Sequence, residues 1–348
     1  MWPKTATMKR RNFIRNSALT GAGFFIARDM MAAPRGAVYG HNGFIYRLDE
    51  NWGKLAFDQY PVNDCHEMIQ DKKGRIFLLT NETHNNVLIY NTSGKLKGSW
   101  GHEFPGAHGL TYANLGGEEF LWITDTVKHQ VYKTDLDGKL LLTIDWPKES
   151  GKYTKSEEFV PTETTVMPDG SFYIADGYGA QFITQYDANG KLLNIFGGRG
   201  TEEKHLDNAH GICIDGRNGD PFLLITDRTR NCFKKFKFDG SYIETVKIPG
   251  ACVCRPVIHG KNLYAAVLRS PNLDADHSGF VTILDADNKV ISNPGGSSPQ
   301  YSNGVLQPLS QTDKIFVHPH DVCVDRDENV YVAQWNAGKV YPYKLTRV

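Results

Sequence analysis

Short apolar runs recur along the chain, alternating with polar positions and separated by turns rich in Asp, Asn and Gly. Ile76-Phe77-Leu78, Leu121-Trp122-Ile123-Thr124-Asp125, Phe172-Tyr173-Ile174-Ala175-Asp176, Phe222-Leu223-Leu224-Ile225-Thr226-Asp227 and Val330-Tyr331-Val332 are equivalent runs. Each follows an apolar segment and a turn, such as Asp71-Lys72-Lys73-Gly74 or Pro168-Asp169-Gly170. Each is followed by a further strand (87–90, 130–133, 182–186, 233–236) and a second turn. A period of two with such turns predicts short antiparallel strands. Helical periodicity is absent beyond the first 33 residues. The copies start near 65, 107, 161, 209, 252 and 319, and the fifth is degenerate, with a long insertion before 281–284. Six units of about four strands predict an all-β, six-bladed β-propeller. Residues 44–48 are expected to lend an outer strand to the last blade and so close the ring. An irregular open sandwich is the alternative.

Length alone allows two domains, but this repeat predicts one, over 34–348. The N-terminal segment is different. Met8-Lys9-Arg10-Arg11-Asn12-Phe13 is basic with paired arginines, 17–27 is a weakly apolar Ala- and Gly-containing run, and Met31-Ala32-Ala33 precedes Pro34. Residues 1–33 therefore read as a twin-arginine export signal, which would place the mature chain in the periplasm or outside the cell. The apolar run is too short to span a bilayer, so no integral membrane association of the mature chain is expected.

The 39 basic and 39 acidic side chains balance, which argues against a nucleic-acid partner. The six cysteines form no CxxC pair. Cys213 and Cys323 each lie three residues after a histidine of the repeat and are expected to be buried free thiols. A monomer acting on a small molecule or peptide is expected.

Those histidines change the picture most. His66, His108, His210 and His320 open four of the six copies, and Thr162 stands at the same place in a fifth. In a propeller that position faces the central channel, so residues far apart in sequence converge there. One histidine at a strand end is ordinarily a satisfied structural residue, but four in one slot indicate a metal site. Neutral imidazoles suit zinc, copper, iron or nickel, and three histidines with an open position are a catalytic zinc pattern.

The order of motifs resembles the lyase domain of peptidylglycine α-amidating enzymes, an NHL-repeat propeller. His108-Gly109-Leu110-Thr111 with Trp122-Ile123-Thr124-Asp125, Ala175-Asp176-Gly177-Tyr178, Ala209-His210-Gly211 with Thr226-Asp227-Arg228, and Pro319-His320-Asp321-Val322 carry the resemblance over most of the mature chain. It implies zinc on His108, His210 and His320, with Tyr178 and Arg228 beside the reacting group. It also implies structural calcium on Asp321 and on backbone carbonyls near Leu110 and Met68. Such a site would split an α-hydroxyglycine into an amide and glyoxylate. The chain departs from the family where Asn81-Glu82-Thr83-His84 replaces an expected arginine, where Gly179 follows Tyr178, and at His66, which has no counterpart. His66 is open to three roles: fourth ligand, support for a ligand, or substrate contact.

The expected function is an exported, zinc-dependent lyase or hydrolase acting on a small polar or hydroxylated substrate. The alternative is a non-catalytic module binding protein, peptide or carbohydrate, with Trp100, Trp122, Trp146 and Trp335 available for stacking. The insertion at 269–279, with Asp274, Asp276 and His277, reads as a solvated loop or a rim.

Overall fold

The computed structural model describes residues 36–270 and 278–348, and in them the first five repeats become four-stranded antiparallel blades and the last part of a five-stranded one. The export signal, and Asp274, Asp276 and His277 of the insertion, lie outside the described residues. Cys65–Gln70, Ile76–Thr80, Val87–Tyr90 and Leu96–Trp100 form the first blade, in chain order from the inside outward. Blades two to five begin with Ala107–Leu115, Glu163–Val166, Ala209–Asp215 and Val257–His259. The fifth inner strand is short, but a bridge from Val253 to Val267 extends it. The innermost strands touch one another in succession around a closed ring. Among the described residues helix is limited to three 3-10 turns, and no helix is long and apolar enough to cross a membrane.

The sixth blade joins both ends of the domain. Pro319–Val324, Val330–Gln334 and Tyr343–Arg347 are completed by Phe44–Asp49 and then by Val38–His41. The expected N-terminal strand is therefore present, with a second one outside it. Tyr46 pairs with Arg347 and Leu48 with Leu345, while the Arg347 guanidinium lies 4.8 Å from the Phe44 ring centre and 5.4 Å from that of Tyr46. Pairing the two ends removes the strand edges that an open seam would expose.

Apolar side chains fill the spaces between blades. Trp122 of blade two packs on Phe172 of blade three at 4.2 Å, and Phe172 stacks on Tyr186 at 5.1 Å. Leu224 and Phe233 meet Leu263, Val267 and Phe280 between blades four and five. Trp122 is fully buried, Trp146 packs against the same cluster, and Trp100 donates from Nε1 to the Leu136 carbonyl at 3.1 Å. These three tryptophans serve inter-blade packing. The turns are held by aspartates: Asp71, Asp135, Asp187, Asp285 and Asp325 each accept two backbone N–H bonds from the residues that follow, which explains why Asp recurs there. All six cysteines are unpaired; Cys323 is buried and Cys213 partly so.

Candidate metal centre

The four histidines sit where strand pairing slips. Cys65 pairs with Thr80 but Glu67 with Leu79, leaving His66 as the extra residue. Pro319 pairs with Gln334 but Asp321 with Ala333, leaving His320. In blades two and four the slip falls between Ala107 and Leu110 and between Ala209 and Ile212. A bulge interrupts the period-two alternation and re-aims side chains. In blades one and six, both the histidine and its successor therefore reach the axis. In blades two and four the successor is glycine. A Cβ on Gly109 would lie 2.5 Å from the Thr162 carbonyl oxygen, and one on Gly211 would lie 2.6 Å from the Arg255 Cα. Only glycine permits that approach.

The upper ring at the axis is thus His66, His108, Thr162, His210, Cys254 and His320. All four imidazoles are buried. The ring centres of His66 and His108 are 4.8 Å apart, those of His108 and His210 4.9 Å, and those of His210 and His320 4.8 Å. The Nε2 atoms of His210 and His320 are 3.2 Å apart. Nitrogen ligands 2.0–2.1 Å from a tetrahedral ion would be about 3.3 Å apart. Ligand atoms of His66, His108 and His320 lie within 4.8 Å of one another, so His66 belongs to the cluster. Thr162 instead donates its hydroxyl to the carbonyls of Ala175 and Ala209.

Hydrogen bonds fix which nitrogens are free. His108 Nδ1 lies 2.9 Å from the Thr162 carbonyl and His320 Nδ1 lies 3.0 Å from the His66 carbonyl. A carbonyl can only accept, so both protons are on Nδ1 and both Nε2 lone pairs face the axis. Burial pushes the His66 pKa down to about 3, with Arg228 adding repulsion. Burial likewise pushes His108, His210 and His320 well below the ordinary imidazole value. Four neutral imidazoles around one point, those of His108 and His320 with inward Nε2 lone pairs, fit a borderline transition metal.

Tyr178 and Arg228 complete the mouth. Tyr178 follows the second strand of blade three, and its hydroxyl lies 3.1 Å from His108 Nε2. Arg228 Nη2 donates to that hydroxyl, also at 3.1 Å. The Tyr178 side is 40% exposed, while its hydroxyl end is enclosed. Burial raises the phenol pKa, and the neighbouring guanidinium opposes the rise. Burial alone would weaken the Arg228 cation, but Tyr178 and Cys254 support it and its pKa lies above the usual value. His84, in the stretch that replaces the family's arginine, is exposed and paired with Glu82 at 2.7 Å.

Asp321 is in a lower ring, with Glu67, Glu163 and Arg255. The Asp321 carboxylate accepts from Arg255 Nε at 3.0 Å and Nη2 at 2.7 Å. The same guanidinium donates to the Leu110 carbonyl and the Met68 carbonyl, both at 2.9 Å. These are the oxygens that the resemblance implies for calcium. Arg255 engages all of them, so this oxygen set does not fit a calcium ion as arranged.

Glu67, Glu163, Cys254 and Arg255 escaped the sequence reading. The signal was there: each is either in the histidine slot or directly after it. The fifth copy has no histidine to set its register, and starting it near 252 rather than 253 hid Cys254-Arg255.

No protein-family model matches the chain. Peptidyl-alpha-hydroxyglycine alpha-amidating lyase 1 of Drosophila melanogaster is 30% identical over 329 residues, covering 86% of this chain and 54% of the fly protein. The chain thus spans about half the length of that relative. Human NHL repeat-containing protein 3 is 24% identical, over 86% of this chain and 84% of its own length. A solved streptogramin B lyase superposes with a TM-score of 0.56 at 13% identity, covering 86% of this chain and 97% of its own, which supports the fold alone. The chain is a six-bladed β-propeller similar along most of its length to amidating lyases and to an NHL-repeat protein.

Proposed function

We propose that the protein is a metal-dependent lyase, holding zinc on His108, His210 and His320 with His66 as a fourth imidazole, and acting on a small α-hydroxylated acid or peptide. The observation that carries this reading is the meeting of four buried imidazoles, successive ring centres 4.8 to 4.9 Å apart, beside the Tyr178 hydroxyl and the Arg228 guanidinium. Similarity to the fly lyase supports it. A zinc ion there would polarise a substrate oxygen and lower the pKa of nearby hydroxyls. Arg228 would hold a substrate carboxylate in its planar fork. Tyr178, as phenolate, would take the proton of the α-hydroxyl, whose O–H electrons become the carbonyl π bond as the C–N bond breaks. That proton then passes to the departing amide nitrogen. The test is glyoxylate release from an α-hydroxyglycine peptide by zinc-loaded protein, with metal content measured on the same sample. Stoichiometric zinc and glyoxylate formation are expected; zinc-loaded protein that releases no glyoxylate would rule out this substrate.

The lowered histidine pKa values make a second prediction. Imidazoles already neutral at pH 6 have no proton to lose, so zinc binding at that pH should release at most about one proton, from Tyr178. Calorimetry in buffers of different ionisation enthalpy measures this. Release of several protons would mean that the histidines are charged and exposed before binding. The paired arginines of segment 1–33 support export by the twin-arginine route, which carries proteins already folded.

A further inference from the structure

We propose that Arg255 is a built-in axial cation, filling with its own guanidinium an oxygen cage that would otherwise require a bound divalent ion, and so positioning the strands that carry His66, His108 and His320. Six oxygens surround the guanidinium: both of Asp321, the carbonyls of Met68 and Leu110, Glu67 Oε2 at 3.4 Å and Glu163 Oε2 at 3.7 Å. They come from blades one, two, three and six, while Arg255 itself comes from blade five. Gly211 of blade four is the residue whose missing Cβ leaves room for the Arg255 backbone. This one side chain of blade five therefore engages blades one, two, three and six at the axis, and its backbone packs against blade four.

The cage has the composition of a hard-cation site, since six carboxylate and carbonyl oxygens are the donor set calcium takes. Three acidic side chains buried together are costly without a counter-charge. A guanidinium is suited to fill the space, because it is permanently charged and spreads five donors in a rigid plane. The contacts use all three of its nitrogens. Glu67 Oε1 and Glu163 Oε2 are buried without a protein hydrogen-bond donor. The cage thus keeps more acidic groups than one guanidinium neutralises. Five of the six oxygens come from residues one or two places after a histidine: Glu67 and Met68 follow His66, Leu110 follows His108, and Asp321 follows His320, while Glu163 follows Thr162. Holding these backbones fixes where the imidazoles point.

Calcium is the probe, because it prefers oxygen cages over imidazoles. Wild-type protein, stripped with a chelator and then given millimolar calcium, should hold no stoichiometric calcium and unfold at the same temperature within about 1 °C. A calcium-dependent rise of several degrees would overturn the proposal while leaving the histidine site untouched. This arm needs no variant. Arg255→Met keeps volume and removes the cation, and should lower the unfolding temperature by roughly 10 °C. Millimolar calcium should recover several degrees of that loss, or allow folding if the variant is otherwise insoluble. An Arg255→Met protein that folds, is destabilised and ignores calcium would show that the cage is not a cation site. Arg255→Lys retains a charge and should remain insensitive to calcium; a calcium response there would likewise count against the proposal.

Discussion

Replacing His108 and His320 together by alanine is expected to abolish zinc retention, with the fold intact. The two side chains come from blades two and six, yet their ring centres are 4.9 Å apart. If they share one ion, losing both removes half of a four-imidazole set. The fall in affinity should exceed the roughly 10–100-fold that follows loss of a group merely supporting a ligand. Stability should change little by comparison. Each histidine makes one backbone hydrogen bond through Nδ1, and a net contribution of about 1 kcal/mol each is typical. Metal analysis after desalting, with thermal unfolding of the same sample, checks both halves. Stoichiometric zinc retained in the double variant would mean that the histidines do not share a site. His66→Ala in a cobalt-loaded sample separates the roles of the extra histidine: loss of a ligand changes the visible spectrum, and a bystander leaves it unchanged.

Tyr178→Phe is expected to reduce kcat by about 10²–10⁴, the range for loss of a general base, with zinc content and KM nearly unchanged. The hydroxyl makes the side chain's hydrogen bonds with His108 and Arg228, while the ring contacts to His108, His210 and Arg228 are ones phenylalanine would keep. Its ring is partly exposed and leaves no large cavity when the oxygen goes. The opposite split is expected for Arg228→Lys, where loss of the planar fork should raise KM for a carboxylate substrate. Because Arg228 opposes the burial-driven rise of the Tyr178 pKa, weakening that contact should also move the acidic limb of the kcat profile, where the phenolate forms, to higher pH. A Tyr178→Phe enzyme with kcat within a few-fold of wild type would remove the tyrosine from the chemistry.

The blades were legible in sequence because a strand with one face on its neighbour must alternate, and because Asp can close these turns by accepting backbone N–H bonds. The histidine slot was legible because four copies share it. Asp321 was expected from the resemblance to hold calcium; it lies at the axis against Arg255, a partner that was not recognisable. Arg255 lies 66 residues from Asp321, 145 from Leu110 and 187 from Met68, and no local pattern links such positions.

The bulges were hidden for a related reason. Reading period two through Cys65-His66-Glu67 sends His66 and Glu67 to opposite faces. The structure brings both to the axis, because one residue is left over in the pairing with Leu79 and Thr80. A bulge belongs to two strands at once and cannot be read from one.

The sequence by itself determined the repeat, its closure by both ends and the slot in which imidazoles recur, since these follow from alternation and turn chemistry within each copy. Only the tertiary structure decided that His66 joins the cluster, that Tyr178 and Arg228 meet there, and that a guanidinium sits where a metal ion was expected. Those outcomes depend on which side chains six separate strands deliver to one axis, and that is set by packing between blades.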